Sequence, residues 1–166
     1  RRRRVDQKLI VIDEPDPQQP EIQAAKSFPL VFTDLAPFGN RTPNVEALFT
    51  VDDQYWILTK RQDDRSLLCR IQMNFTDPAA KVEPVQSLAI PGQVTGADYN
   101  AHRREVAVLT YTAVYLFQWR PESVPLGNYP RKTIPIFFKQ AEGICWDGNA
   151  VRIENEQGEM KVISID

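Results

Sequence analysis

Glu46, Thr95 and Glu142 stand at matched places in three stretches of similar sequence: NVEALFTVDDQYWILTKR from Asn44, QVTGADYNAHRREVAVLTYTAVYLF from Gln93 and QAEGICWDGNAVRIENEQGE from Gln140. The intervals are 95 − 46 = 49 and 142 − 95 = 47 residues. Two carboxylates and a hydroxyl at one recurring position offer hard oxygen donors, and calcium is the ion that such donors suit. Calcium takes about six to eight oxygens, so three positions are too few and neighbouring segments must add more. Glu154 is the third carboxylate of this candidate metal set, beside Glu46 and Glu142. Lys60, Tyr111 and Glu154 fall near the end of the apolar segment that follows each matched position, next to Thr59, Thr110 and Asn155. An antiparallel return would bring them beside the matched residues. Lys60 also supplies the simpler alternative: paired with Glu46 and Glu142, it orders the same place with no metal at all. Asp98, one repeat step from Phe49 and from Cys145, completes the candidate ligands, although an Asp just before a turn commonly caps that turn.

Other chemistry is not announced by any short motif. The chain has no GxSxG, Walker loop or HExxH. Its one histidine, His102, lies in the turn-like YNAHRRE and reads as a surface residue. Cys69 and Cys145 are far apart, without CxxC spacing, and read as buried small apolar residues rather than zinc ligands or a disulfide. Trp56, Trp119 and Trp146 lie on or beside strand-like runs, where packing between repeats is the expected role.

The elements that must position these residues are strands. Each copy reads as a strand, a turn, a second strand, a polar turn and a third strand. VDDQ, NAHR and DGN fall where the first hairpin reverses. KVEPVQSLAI, RKTIPIFF and FPLVFTDL are further β-rich segments lying between or ahead of the copies, and they supply a fourth strand. With 13 prolines breaking the connections, long helices have little room. Four strands at this period are the signature of a β-propeller blade. A β-sandwich has similar strands but does not normally repeat its own sequence. The expectation is therefore an all-β propeller domain of about three four-stranded antiparallel blades plus a strand of a fourth. Residues 1–43 end one blade and connect onward through the surface stretch QPEIQAAKS, and 44–92, 93–139 and 140–166 are successive repeats. Propellers close with about four to eight blades, so the expected partners are further blades from the same protein or from another chain.

Charge excludes one class of function. Lys plus Arg number 20 against 22 Asp plus Glu, the net charge is −2 and the isoelectric point is about 5.5. The opening RRRR is thus a local feature, and no nucleic-acid partner is expected. No apolar run approaches the length of a membrane span.

The segments NVEAL with YWILTKR, QVTGADYN with LTYTAVYLF, and QAEGICW with the glutamates of RIENEQGE resemble bacterial six-bladed propeller proteins related to the esterase-like and phytase-like families. The resemblance covers most of Asn44 to Asp166. Leu109 stands where such proteins often carry an arginine before Thr-Tyr, and Gly143 replaces an alanine after Glu142. The resemblance implies that RRRRVDQKLIVIDEP is a mid-propeller strand ending at Glu14-Pro15, that an acidic segment lies upstream, and that the location is periplasmic or extracellular. Two functions follow. One is a non-catalytic platform binding a protein or small ligand at its channel mouth. The other is a calcium-dependent phosphoester or ester hydrolase, with Glu46, Glu142 and Glu154 as ligands and Lys60 steering an anionic substrate.

Overall fold

The computed structural model describes residues 6–16, 18, 21, 24–60, 65–120 and 125–166; the four arginines at positions 1–4 lie outside them. Among the described residues the chain is all-β. The strands are β1 Lys8–Ile12, β2 Ala24–Phe32, β3 Val45–Val51, β4 Gln54–Thr59, β5 Ser66–Gln72, β6 Ala80–Leu88, β7 Val94–Asn100, β8 Glu105–Thr110, β9 Ala113–Gln118, β10 Lys132–Pro135, β11 Ala141–Asp147, β12 Ala150–Asn155 and β13 Met160–Ser164. The only helical element described is a single 3-10 turn, Ala36–Phe38.

Turn chemistry fixes the hairpins. Asp52 and Asp53 join β3 to β4 with φ of 46° and 62°, the left-handed pair that a two-residue hairpin requires and that Asp tolerates. Gly148, at φ 57°, does the same between β11 and β12. The four residues between β7 and β8 are held by Asn100 Oδ1, which accepts from the Arg103 backbone N–H at 3.0 Å, and His102 lies exposed there.

Three sheets result, in the orders β1-β2-β6-β5-β4-β3, β10-β9-β8-β7 and β11-β12-β13. The expectation of four strands per sheet holds for the second alone. KVEPVQSLAI and RKTIPIFF do supply fourth strands, β6 and β10, and each pairs with the third strand of the repeat before it. The third sheet has three strands among the described residues. FPLVFTDL opens no sheet of its own. It forms β2, which pairs antiparallel with β1 and, over Leu30–Phe32, parallel with Ala80–Val82 of β6. The outer edge of β6 carries N–H and C=O groups that need partners, and β2 supplies them. QPEIQAAKS is not wholly a surface connection, since Ala24 to Ser27 already belong to β2.

Packing follows from residue type. EVAVLT and AVYLFQ, the segments of β8 and β9, are nearly continuous apolar runs, as strands covered on both faces must be. Val106, Val108, Tyr115 and Phe117 face the first sheet, where they meet Phe49, Trp56, Leu58 and Leu68. Ala107, Leu109, Val114 and Leu116 face the third sheet and meet Val151 and Ile153. A third core gathers Phe28, Phe38, Ile57, Cys69 and Val82 on the far face of the first sheet. Strand β7 lies between β3 and β11, so the first strands of the three repeats run side by side. Gly96 allows this approach, because a Cβ there would sit 3.2 Å from Ile144 Cγ2 on β11.

The tryptophans pack between repeats as expected. Trp119 meets Trp56 edge to face at 5.0 Å, with Phe49 at 6.2 Å and Tyr99 at 6.0 Å. Trp146 is half-buried against the second sheet. Of the two cysteines only Cys69 is buried. Cys145 is exposed, because it alternates with Ile144 and Trp146 and so lies on the face of β11 turned away from the second sheet.

Candidate functional site

Each first strand is interrupted at the same place. Pairing shifts between Val45 and Ala47, between Val94 and Gly96, and between Ala141 and Gly143, which makes Glu46, Thr95 and Glu142 the extra residues of three β-bulges. Thr59, Thr110 and Asn155 close the ladders opposite Val45, Val94 and Ala141. A bulge bends the strand and re-aims a side chain out of the regular pleat, and here it does so three times in adjacent strands.

A chain of polar contacts crosses the three repeats from these bulges. Asn44 Nδ2 donates to Glu46 Oε1. Lys60 Nζ lies 3.7 Å from the same oxygen and donates to the Tyr111 hydroxyl at 3.1 Å. That hydroxyl donates in turn to Glu142 Oε1 at 2.9 Å. The Lys60 ammonium also stands 5.1 Å from the centre of the Tyr111 ring, within cation–π range. The Lys60 and Glu46 side chains are only 19% and 17% exposed, so water screens the pair less than it would on an open surface.

The other candidates are arranged differently. Thr95 is 3% exposed, and its Oγ1 has no hydrogen-bond partner. Asp98 caps no turn: Oδ1 accepts from the Tyr99 N–H at 2.9 Å, and Oδ2 accepts from the Trp146 backbone N–H of β11 at 2.7 Å. Trp146 Nε1 donates back to the Asp98 carbonyl at 3.2 Å, so Asp98 ties the second sheet to the third. Glu154 does not match Lys60 and Tyr111. It pairs with Gly143 and lies exposed, with its Cγ 2.5 Å from where a Gly143 Cβ would stand. The matching residue is Glu156, whose backbone N–H donates to the Gln140 carbonyl just as that of Lys60 donates to the Asn44 carbonyl. Alternation explains the offset, since Glu154 lies between buried Ile153 and buried Asn155.

Asn44 is the site residue that its sequence position alone did not single out, although it opens the NVEAL run. The two matched threonines hold backbone rather than ligand: Thr59 Oγ1 accepts from the Leu67 N–H at 3.0 Å, and Thr110 Oγ1 accepts from the Ala113 N–H at 3.1 Å. Among the described residues no group of three or more His, Cys, Asp or Glu is gathered closely enough to hold a metal ion. The positive charge between Glu46 and Glu142 is the Lys60 ammonium, leaving these three side chains one negative charge in excess. No protein-family model matches the chain, and no curated protein matches it.

Proposed function

We propose that this chain is a three-repeat portion of a β-propeller, related to the esterase-like and phytase-like propellers, and that it serves as a non-catalytic binding platform. The binding place is the channel mouth where Glu46, Lys60, Tyr111 and Glu142 converge. One observation carries the reading. Three first strands run side by side with the same bulge at the same position, and a polar relay joins the first bulge, at Glu46, to the third, at Glu142, by way of Lys60 and Tyr111 of the second repeat. Radially arranged blades bring their first strands together around a common axis, whereas the relay uses its own groups to satisfy one another. With two carboxylates to one ammonium, the mouth favours a ligand that presents a positive charge or hydrogen-bond donors.

The calcium-dependent hydrolase is the competing reading, and it draws on resemblance. A cation would have to displace Lys60 from Glu46 and recruit Glu154 from its place over Gly143. The test uses the purified chain with p-nitrophenyl phosphate and p-nitrophenyl acetate, with and without calcium chloride. The platform reading expects no turnover and a melting temperature indifferent to calcium. Calcium-dependent turnover that disappears in Glu142→Gln overturns it in favour of the hydrolase. A structure of the complete ring in which β3, β7 and β11 do not line a shared axis overturns the propeller assignment as well.

A further inference from the structure

The three sheets do not end alike. In the first two, the third strand of the repeat, β5 or β9, is mostly buried and carries an antiparallel fourth strand, β6 or β10. β13 is the matching third strand of the third sheet, and among the described residues it pairs with β12 alone. Met160 and Val162 are 58% and 59% exposed there. The backbone of β13 is open as well. The Ile165 N–H donates to the Asn149 carbonyl at 2.8 Å and the Glu159 carbonyl accepts from the Asn155 N–H at 3.2 Å, so the odd-numbered residues of this run bond the β12 side. Antiparallel ladders alternate, and the N–H and C=O groups of Met160, Val162 and Ser164 therefore point to the outer edge. Such an edge is a template for a further strand. The outer edge of the second sheet is blunted, because β10 is four residues long and ends in Pro135. β13 has no proline, and its one guard is Lys161.

We propose that the outer edge of β13 docks an extended segment of a partner polypeptide, added antiparallel as a fourth strand, with an acidic residue between two β-branched ones. Main-chain bonds to Met160, Val162 and Ser164 supply affinity, and side chains choose the strand. Lys161 Nζ donates to the Phe137 carbonyl at 3.0 Å and stands 4.7 Å from the centre of the Phe138 ring, two partners that carry no charge. A carboxylate directly opposite on the added strand neutralises it. The residues on either side of that carboxylate fall opposite Met160 and Val162 on the other face, where apolar side chains take exposed surface out of water. The second sheet already shows this arrangement: Val114 holds the place of Met160, and Ile134 of β10 lies opposite it. Nor must the strand be a neighbour in sequence, since β2 joins the outer edge of β6 from about fifty residues away. The site rests on strand order alone, and it stands whether or not the mouth at Glu46, Lys60, Tyr111 and Glu142 binds anything.

The test is a titration of the 15N-labelled full chain with the peptide acetyl-Thr-Thr-Val-Glu-Val-amide, whose glutamate falls opposite Lys161 when its first threonine lies opposite Ser164. The expected result is a saturable downfield shift and slower hydrogen exchange at the amides of Met160, Val162 and Ser164, with those of the edge strand β1 static. N-methylation of the central valine removes the bond to the Val162 carbonyl and should weaken the peptide about tenfold. Lysine in place of its glutamate should also weaken it. Val162→Pro deletes an N–H that faces away from β12, so that variant should keep the fold and lose the peptide. Should it not fold, the N-methylated peptide asks the same question of the unmodified chain. A shift that never saturates, an equal shift along β1, or equal affinity for the N-methylated or lysine peptide overturns the proposal. A free chain that sediments as a dimer with β13 amides already protected also overturns it, since a second copy would then hold the edge.

Discussion

Tyr111 does two things with one oxygen, accepting from Lys60 and donating to Glu142. Tyr111→Phe removes that oxygen and almost no volume. It is expected to cost about 1–3 kcal/mol, since both bonds involve charged partners, and urea unfolding would measure it. A midpoint equal to that of the unmodified chain would mean that water replaces the hydroxyl without loss. The cysteines give a second expectation. Burial pushes the Cys69 thiol up to about 12, while Cys145 is exposed. A maleimide should therefore label Cys145 alone in the native state and both residues in urea. Glu105 gives a third. It is 3% exposed, and burial alone would raise its pKa. The hydrogen bonds and charges of Arg131 and Arg103 outweigh that effect and hold it below the ordinary carboxylate range. Because the folded pKa is depressed, this stabilisation is complete above the unfolded pKa and is lost as pH falls through the folded one. Glu105→Gln should lower stability at neutral pH and flatten its decline toward acid, as thermal melts across pH would record.

Bulges and close approaches carry the argument at the level of elements. Gly96 puts β7 against β11, and Gly96→Val would drive branched methyls toward Ile144 Cγ2 and the Glu142 carbonyl. The expected cost is about 1–3 kcal/mol, as for other overpacked contacts, and calorimetry would read it. At Gly143→Ala the nearest atoms belong to the exposed Glu154 side chain, which can swing away, so its cost should be smaller. This level is also where the sequence was most and least legible. The Asp52-Asp53 and Gly148-Asn149 turns, the apolar runs of β8 and β9 and the matched places of Glu46, Thr95 and Glu142 all leave local or periodic signals, and the strands lie where those signals put them. The pairing of β2 with β6 left none, because a parallel contact between segments about fifty residues apart depends on which edge is free rather than on the sequence of either strand. Glu154 was misplaced by two residues, Glu156 being the match, because several glutamates fall close together there and only the alternation with Ile153 and Asn155 decides which face each takes. Cys145 was misjudged because residue type says nothing of which face of β11 is covered. That Thr95 Oγ1 is buried without a hydrogen-bond partner could not be read at all, since satisfaction is a property of assembled neighbours.

Across the described residues, two cores lie between the sheets, with the second sheet contributing to both, and a third lies on the far face of the first sheet. Trp119, Asp98 and Arg103 reinforce the seams: Trp119 reaches Trp56, Asp98 reaches the Trp146 backbone, and Arg103 reaches Asn149 and the Ile165 carbonyl while stacking 5.6 Å from the Trp146 ring. The two outer sheets are each tied to the middle one. The seams are made of side chains that no regular strand pattern supplies. Burial of β8 and β9 on both sides has a consequence for how the protein opens. Either outer sheet can detach and leave the other core standing, but β8 and β9 lose their protection only when both are gone. Their amide hydrogens should exchange with deuterium only through complete unfolding, and their apparent opening free energies should converge on the global stability measured in denaturant. Amides of β12 and β13 should exchange through a cheaper, partial opening. If β8 exchanged as fast as β13, the two cores would not be coupled through the middle sheet. The order of melting is thus written into the middle strands: the hairpin from Glu105 to Gln118 is the last part of the chain to forget its fold.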